Sequence, residues 1–297
     1  MIKNDNKDLL TIIQDTMSSL SKSHKLIGSY IINNYDKAAF LTAAKLASNV
    51  GVSESTVVRF ANALGFEGYP ELQQELMEIA KIKLTTVQRV EMSPEYKNRS
   101  ETLKKVLKSD IENIRDTFES MDKEVFEKVV DEILKAEKIY IIGSRSSTAL
   151  AEYFGFYLNL VLDNVKIVGH GISDLFEQIL RVSDKDLVIG ISYPRYSNKT
   201  IDLMNYSKEQ GAKIVGITDS SSSPIHNISD YTLIAKTNMM SFVDSLVAPL
   251  SIINALIVSV GASEKEEITN FLNKLENIWD THRIYNSKVK DEENKPE

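Results

Sequence analysis

Two loops carry the residue types best suited to hold an anion. The first reads Gly143-Ser144-Arg145-Ser146-Ser147-Thr148 and the second Ser192-Tyr193-Pro194-Arg195-Tyr196-Ser197-Asn198-Lys199-Thr200. Each follows a short apolar run and precedes a helical pattern, so each stands where a strand hands over to a helix. Hydroxyls, backbone N–H groups and an arginine converging on one such edge suit a phosphate ester. The candidate ligand residues are therefore Gly143, Ser144, Arg145, Ser146, Ser147, Ser192, Arg195, Ser197 and Thr200. Capping serines alone give a similar composition; two matched loops favour the ligand.

A second constellation spans Leu41 to Tyr69, LTAAKLASNVGVSESTVVRFANALGFEGY. It reads as two short helices joined by a glycine turn, with Ala47 as the small residue at the crossing and Gly51 in the turn. Val57 and Phe60 anchor the second helix from inside, joined by Leu46, Val50 and Val52. Ser53 is placed as its N-cap. The face left outward holds Ser53, Glu54, Ser55, Val58 and Arg59 with Thr56 at its edge. Hydroxyls and a guanidinium there match phosphates and base edges, as a recognition helix requires. The candidate DNA contacts are Lys45, Ser53, Ser55, Thr56 and Arg59.

No residues form a convincing catalytic or metal set. His24, His170, His226 and His282 lack a carboxylate or nucleophile at motif spacing, and Glu152 reads as a solvated helix residue. The first turn lacks the three-glycine dinucleotide fingerprint, so no cofactor is expected. The chain has no cysteine, which excludes disulfides, thiol nucleophiles and cysteine-ligated zinc and fits a reducing cytoplasm. The N-terminus is polar and no apolar run spans a bilayer comfortably, so no membrane partner is expected. A net charge of −7 argues against coating nucleic acid by bulk electrostatics. Residues 22–64 nonetheless carry Lys22, Lys25, Lys37, Lys45 and Arg59 against only Asp36 and Glu54. That local basic excess is modest, and dimerisation would double the phosphate contacts.

The elements that position these residues follow from periodicity. Helical patterns over 7–20 and 21–35 precede the motif, and Pro70 opens a further helix to about Lys81, which closes a helical bundle over residues 1–80. Residues 81–100 are polar and poorly periodic and read as a linker. Leu103, Val106, Leu107, Ile111, Ile114 and Phe118 then mark one helix face, and Asp122 caps the next helix. Beyond it, apolar runs at 138–142, 165–168, 187–191, 213–217 and 231–234 alternate with helices near 146–161, 173–181 and 198–210. Helices at 243–260 and 264–282 follow. This is an α/β pattern, a five-stranded doubly wound parallel sheet over residues 101–285. Ser220 to Ser223 reads as a flexible loop, and residues 286–297 as a disordered tail.

With STVVRF followed by ALGFEGYPEL in the helical part, and GSRSS in the first loop, nearly the whole chain resembles the RpiR family of bacterial transcription regulators. In that family a helix-turn-helix domain precedes a SIS (sugar isomerase) domain that binds phosphosugars or related phosphorylated metabolites. Its first ligand loop usually reads G-x-G-x-S, which Gly143 and Ser147 match while Arg145 replaces the second glycine. Its second often reads S-x-S-G-x-T/S, which Ser192 and Ser197 match, with Pro194 and Arg195 where serine and glycine are common. The resemblance implies a regulator without catalytic turnover, dimeric or tetrameric, that binds a double-stranded operator under control of a phosphorylated sugar. The alternative is a sugar-phosphate isomerase with a helical appendage. The C-terminal helices are the candidate subunit interface.

Overall fold

A computed structural model describes residues 9–91, 98–169, 171, 173–239 and 241–285; the tail from residue 286 and His170 lie outside them. The described chain divides into two units, one made of the residues up to Val106 together with Met239–Ser245, the other of Leu107–Asn238 and the residues from Leu246 onward.

The first unit is helical, with α1 (Leu9–Thr16), α2 (Lys22–Asn33), α3 (Tyr35–Ala38), α4 (Ala43–Val50), α5 (Glu54–Ala63), α6 (Tyr69–Lys83) and α7 (Thr86–Glu91). Side-chain hydroxyls start the key helices: Ser21 caps α2, Thr42 caps α4 and Ser53 caps α5, each accepting a backbone N–H three residues on. The core holds Ile13, Ile27, Ile31, Leu46, Val57, Phe60, Leu72 and Leu76, all fully buried. Gly51 ends α4 at φ 76°, the left-handed turn that lets the chain reverse into α5. α6 holds the motif's entry in place: the Tyr69 hydroxyl donates to the Leu41 carbonyl at 2.7 Å, and the Gln73 amide donates to the Ala39 and Leu41 carbonyls.

Two findings depart from the sequence reading. Residues 81–100, expected as a linker, contain α7, and its Arg89 is only 2% exposed. The guanidinium donates to both Asp244 carboxylate oxygens at 3.0 and 3.1 Å and to the Lys81 carbonyl. Residues 243–245, expected to begin a helix, precede one that starts at Val247; Asp244 instead closes an antiparallel bridge to Met239, making a short strap, and Met239 packs at the edge of the helical core. A buried guanidinium needs a carboxylate, and the strap delivers one.

The second unit begins within α8 (Arg99–Ser120), where the boundary between the units falls, and continues through α9 (Lys123–Lys135). It alternates β1 (Ile139–Gly143), α10 (Ser146–Leu158), β2 (Val165–Val168), α11 (Leu175–Gln178), β3 (Leu187–Ile191), α12 (Asn198–Glu209), β4 (Lys213–Thr218), α13 (Pro224–Ile228) and β5 (Tyr231–Ile234), then ends in α14 (Val247–Ser263) and α15 (Lys265–His282). The strands pair in parallel in the order β2-β1-β3-β4-β5. Helices cover both faces, which is why the central strands β1 and β3 are buried at every position rather than alternating. Ile139, Ile141, Leu187, Ile189, Val215 and Ile217 pack with residues of α9, α10 and α14 on one face. Tyr140, Ile142, Val188 and Ile214 pack with residues of α12 and α13 on the other.

α14 puts Ala248, Pro249, Ile252, Ile253, Leu256 and Val260 into its own core, whereas α15 buries no residue whose side chain is described. The run Ser220–Ser223 also differs from expectation: Ser223 is fully buried and caps α13, accepting the His226 N–H at 3.1 Å. No single described helix is long and apolar enough to cross a membrane.

Candidate functional site

From β1 the chain crosses to one side of the sheet to make β2, then to the other side to make β3. The two crossovers diverge, leaving a crevice at the carboxyl ends of β1 and β3, where open α/β sheets bind ligands. Gly143 and Ile191 are register partners, so Ser144 and Ser192 leave their strands at the same level. The two hydroxyl loops of the sequence are thus brought together. The Thr200 hydroxyl, fully buried in the first turn of α12, donates to Ser144 Oγ at 3.1 Å and ties one loop to the other.

Each loop is shaped by its own hydroxyls. Ser197 caps α12 and its N–H donates to Ser192 Oγ at 3.2 Å. Thr148 donates to the Gly143 carbonyl at 3.2 Å, and Ser147, 3% exposed, closes a turn onto the Ser144 carbonyl. α10 begins without a side-chain cap. Gly143 permits this close turn, because a Cβ there would lie 2.5 Å from the Ser147 carbonyl oxygen. Arg145 and Arg195 are exposed and sit at φ 58° and 66°, backbone that L residues rarely adopt. The family pattern has glycine at both positions; here the glycine backbone persists with an arginine on it. Ser146 is exposed at the first turn of α10.

Sequence reasoning passed over Asp219, at the carboxyl end of β4. It is 3% exposed and accepts from the Tyr196 hydroxyl at 2.9 Å and from Thr218 at 3.2 Å. Tyr193 lies beside it, its hydroxyl with no hydrogen-bond partner among the described residues. Burial, and then the Asp219 carboxylate and Tyr196, push that phenol well above the ordinary tyrosine range, so it stays protonated. An aspartate directly after an apolar strand was the available signal. Among the described residues no group of three or more His, Asp or Glu could hold a metal.

On the helical unit, Ser53, Ser55, Thr56 and Arg59 lie together on the first turns of α5. Ser53 Oγ is 2.9 Å from Ser55 Oγ and 2.8 Å from Thr56 Oγ1, and Arg59 donates to Thr56 at 3.4 Å. Ser53, Ser55 and Arg59 are exposed while Val57 and Phe60 are fully buried, which separates an outward polar face from the anchors. Lys45 is exposed on α4. His24 packs edge-on against Phe60, and burial, followed by the nearby Arg59 guanidinium, holds its imidazole below the usual histidine value.

Comparison with known proteins agrees with both halves. The helix-turn-helix domain of the rpiR family matches residues 7–81 and the SIS domain matches residues 132–259. The HTH-type transcriptional regulator HexR of Pseudomonas aeruginosa is 27% identical over 267 residues, 86% of this chain and 89% of that protein. The sugar isomerase domain of an RpiR transcription factor from Sphaerobacter thermophilus is 28% identical with a TM-score of 0.56, covering 58% of this chain and 97% of that one. Vibrio vulnificus NanR, solved in complex with ManNAc-6P, is 20% identical with a TM-score of 0.56 over 91% of this chain and 97% of that one, a likeness of fold. The chain belongs to the RpiR family of helix-turn-helix transcriptional regulators that carry a SIS domain.

Proposed function

We propose that the regulator binds a palindromic operator through α5 as a homodimer in the cytoplasm, and that a phosphorylated sugar in the β1/β3 crevice sets its operator affinity. The observation that carries this reading is the Ser144–Thr200 hydrogen bond at 3.1 Å, which joins two serine-rich helix starts at the switch point of the sheet. Ser147, Ser192 and Ser197 receive the phosphate, with Gly143 and Ser146 giving backbone access and Arg145 and Arg195 at the rim. Ser53, Ser55, Thr56 and Arg59 meet the operator, with Lys45 on its backbone. A single short recognition helix reads too few base pairs for specificity, so a two-fold pair is required. A ligand that binds one arrangement of the pair better shifts the population and with it the affinity.

The test is operator retention, with DNA from upstream of the chain's own gene and its neighbours, titrated with a panel of aldose and ketose phosphates. Arg59→Ala should weaken retention about 5- to 150-fold, one lost guanidinium contact being worth about 1–3 kcal/mol. Ser192→Ala combined with Ser197→Ala should abolish the effector's influence and spare operator binding. A response retained in that double variant refutes the ligand placement, and turnover of any panel member would favour the isomerase alternative.

A further inference from the structure

α8 is turned the wrong way round for a helix that serves one chain. Its buried positions are polar: Ser109, Asn113 and Thr117 are 7%, 0% and 4% exposed. Thr117 accepts the Lys236 N–H at 2.8 Å, but neither side-chain polar atom of Asn113 has a partner among the described residues. Between its exposed charges runs an apolar stripe: Leu103, Leu107, Ile111, Ile114 and Phe118 are 60%, 53%, 57%, 39% and 76% exposed. From Leu107 to Phe118 their spacing is four, three, four, that of a helix-on-helix seam. At Phe118 the stripe runs into an open groove of about 650 Å³ whose apolar lining includes Met121, Phe126 and Val130. A contiguous exposed patch of this kind marks an interaction surface.

We propose that α8 pairs antiparallel with α8 of a second copy, stripe against stripe. The proposal rests on the dimeric reading above and adds the surface and its geometry. Charge selects the partner and the direction. The first half of α8 carries Arg99, Lys104, Lys105 and Lys108 against Glu101; the second carries Asp110, Glu112, Asp116 and Glu119 against Arg115. Antiparallel pairing lays each basic half on the other copy's acidic half, whereas parallel pairing lays like on like. The two-fold axis then passes near Ile111, midway between Leu103 and Phe118, and the contact is self-complementary as a two-fold interface must be. α14 is a poorer candidate, because Ile252, Ile253, Leu256 and Val260 are buried in its own core and Val258 alone among its large apolar side chains is exposed.

The chain has no cysteine, which makes introduced thiols unambiguous reporters. Under mild oxidation Ile111→Cys should cross-link to itself. Leu103→Cys and Phe118→Cys should each fail alone and cross-link to one another when co-expressed; self-cross-linking at both ends would instead demand parallel pairing and overturn the geometry. Ile111→Glu, at an exposed position, should keep the far-UV spectrum and raise the dimer dissociation constant at least tenfold in sedimentation. If the unaltered protein sediments as a monomer at micromolar concentration, the dimeric reading itself fails. If it is a dimer that neither cross-links at Ile111 nor responds to Ile111→Glu, that reading stands and the α8 interface is wrong.

Discussion

The turn between α4 and α5 and the loops at the β1/β3 crevice make the same demand on the backbone and meet it differently. Both need positive φ. In the helical unit Gly51 supplies it at 76°, with nothing near the place a Cβ would occupy. At the crevice Arg145 and Arg195 supply it at 58° and 66°. A non-glycine residue in such backbone costs about 1–3 kcal/mol and persists where it serves a site. The turn is therefore built for shape alone. At the crevice, shape has been kept while a cation has been added, which fits an anionic ligand with charge beyond one phosphate's reach of the serines.

The comparison breaks first at Gly143. Gly143→Ala drives a methyl against the Ser147 carbonyl, so it should destabilise the sheet unit by about 1–3 kcal/mol and remove effector response altogether, measured by thermal melting and operator release. A variant that melts normally and still responds would show that the close turn is dispensable.

A sharper contrast comes from exchanging the two solutions. Gly51→Ala should cost about 1–2 kcal/mol through its left-handed torsion alone. Arg145→Gly should do the reverse: strain relief exceeds the added loop entropy of about 0.5–1 kcal/mol, for a net gain on the order of 1 kcal/mol. The same variant should bind the effector more weakly. Equal signs in denaturant unfolding would mean that Arg145 is held by its surroundings rather than by a ligand's needs.

The smallest effect tests the anchoring of the turn. Tyr69→Phe removes the hydrogen bond to the Leu41 carbonyl and should cost about 1 kcal/mol. Burial raises the Tyr69 phenol to about 12 from an ordinary value of 10.0. The protonated form is the one the fold stabilises, so its contribution is complete below pH 10 and is lost as pH rises from 10 through 12. The difference between unaltered protein and Tyr69→Phe should therefore shrink and then reverse across that window, because the rise from 10.0 to about 12 is worth about 2.7 kcal/mol; a constant difference would assign the cost to packing.

Much of this fold is legible in the sequence because its signals are local. The bounds of β2, β3 and β5 fall at the expected residues, β1 is shifted by one residue and β4 runs one residue further. The helix-turn-helix declares itself through Ala47, Gly51, Val57 and Phe60, whose spacing is fixed by helical geometry. What escaped was non-local. Arg89 and Asp244 are 155 positions apart, and no periodicity links a polar stretch to the strap that neutralises it. The torsions of Arg145 and Arg195 escaped because arginine carries no turn signal. The stripe on α8 was read as one face, Val106 excepted, which is half-buried where the others are exposed; amphipathicity states that a face is apolar without saying which chain covers it.

The strap also bears on modularity. The chain passes from one unit to the other three times, after Val106, after Asn238 and after Ser245. A headpiece grafted onto another sensor by cutting at Val106 would leave Met239 and Asp244 behind. It would keep the buried Arg89 and lose the carboxylate that neutralises it, an arrangement that destabilises by several kcal/mol. Domain exchange between such regulators should therefore succeed only when the strap travels with the headpiece, which makes residues 239–245 part of the DNA-binding module despite their place in the sequence.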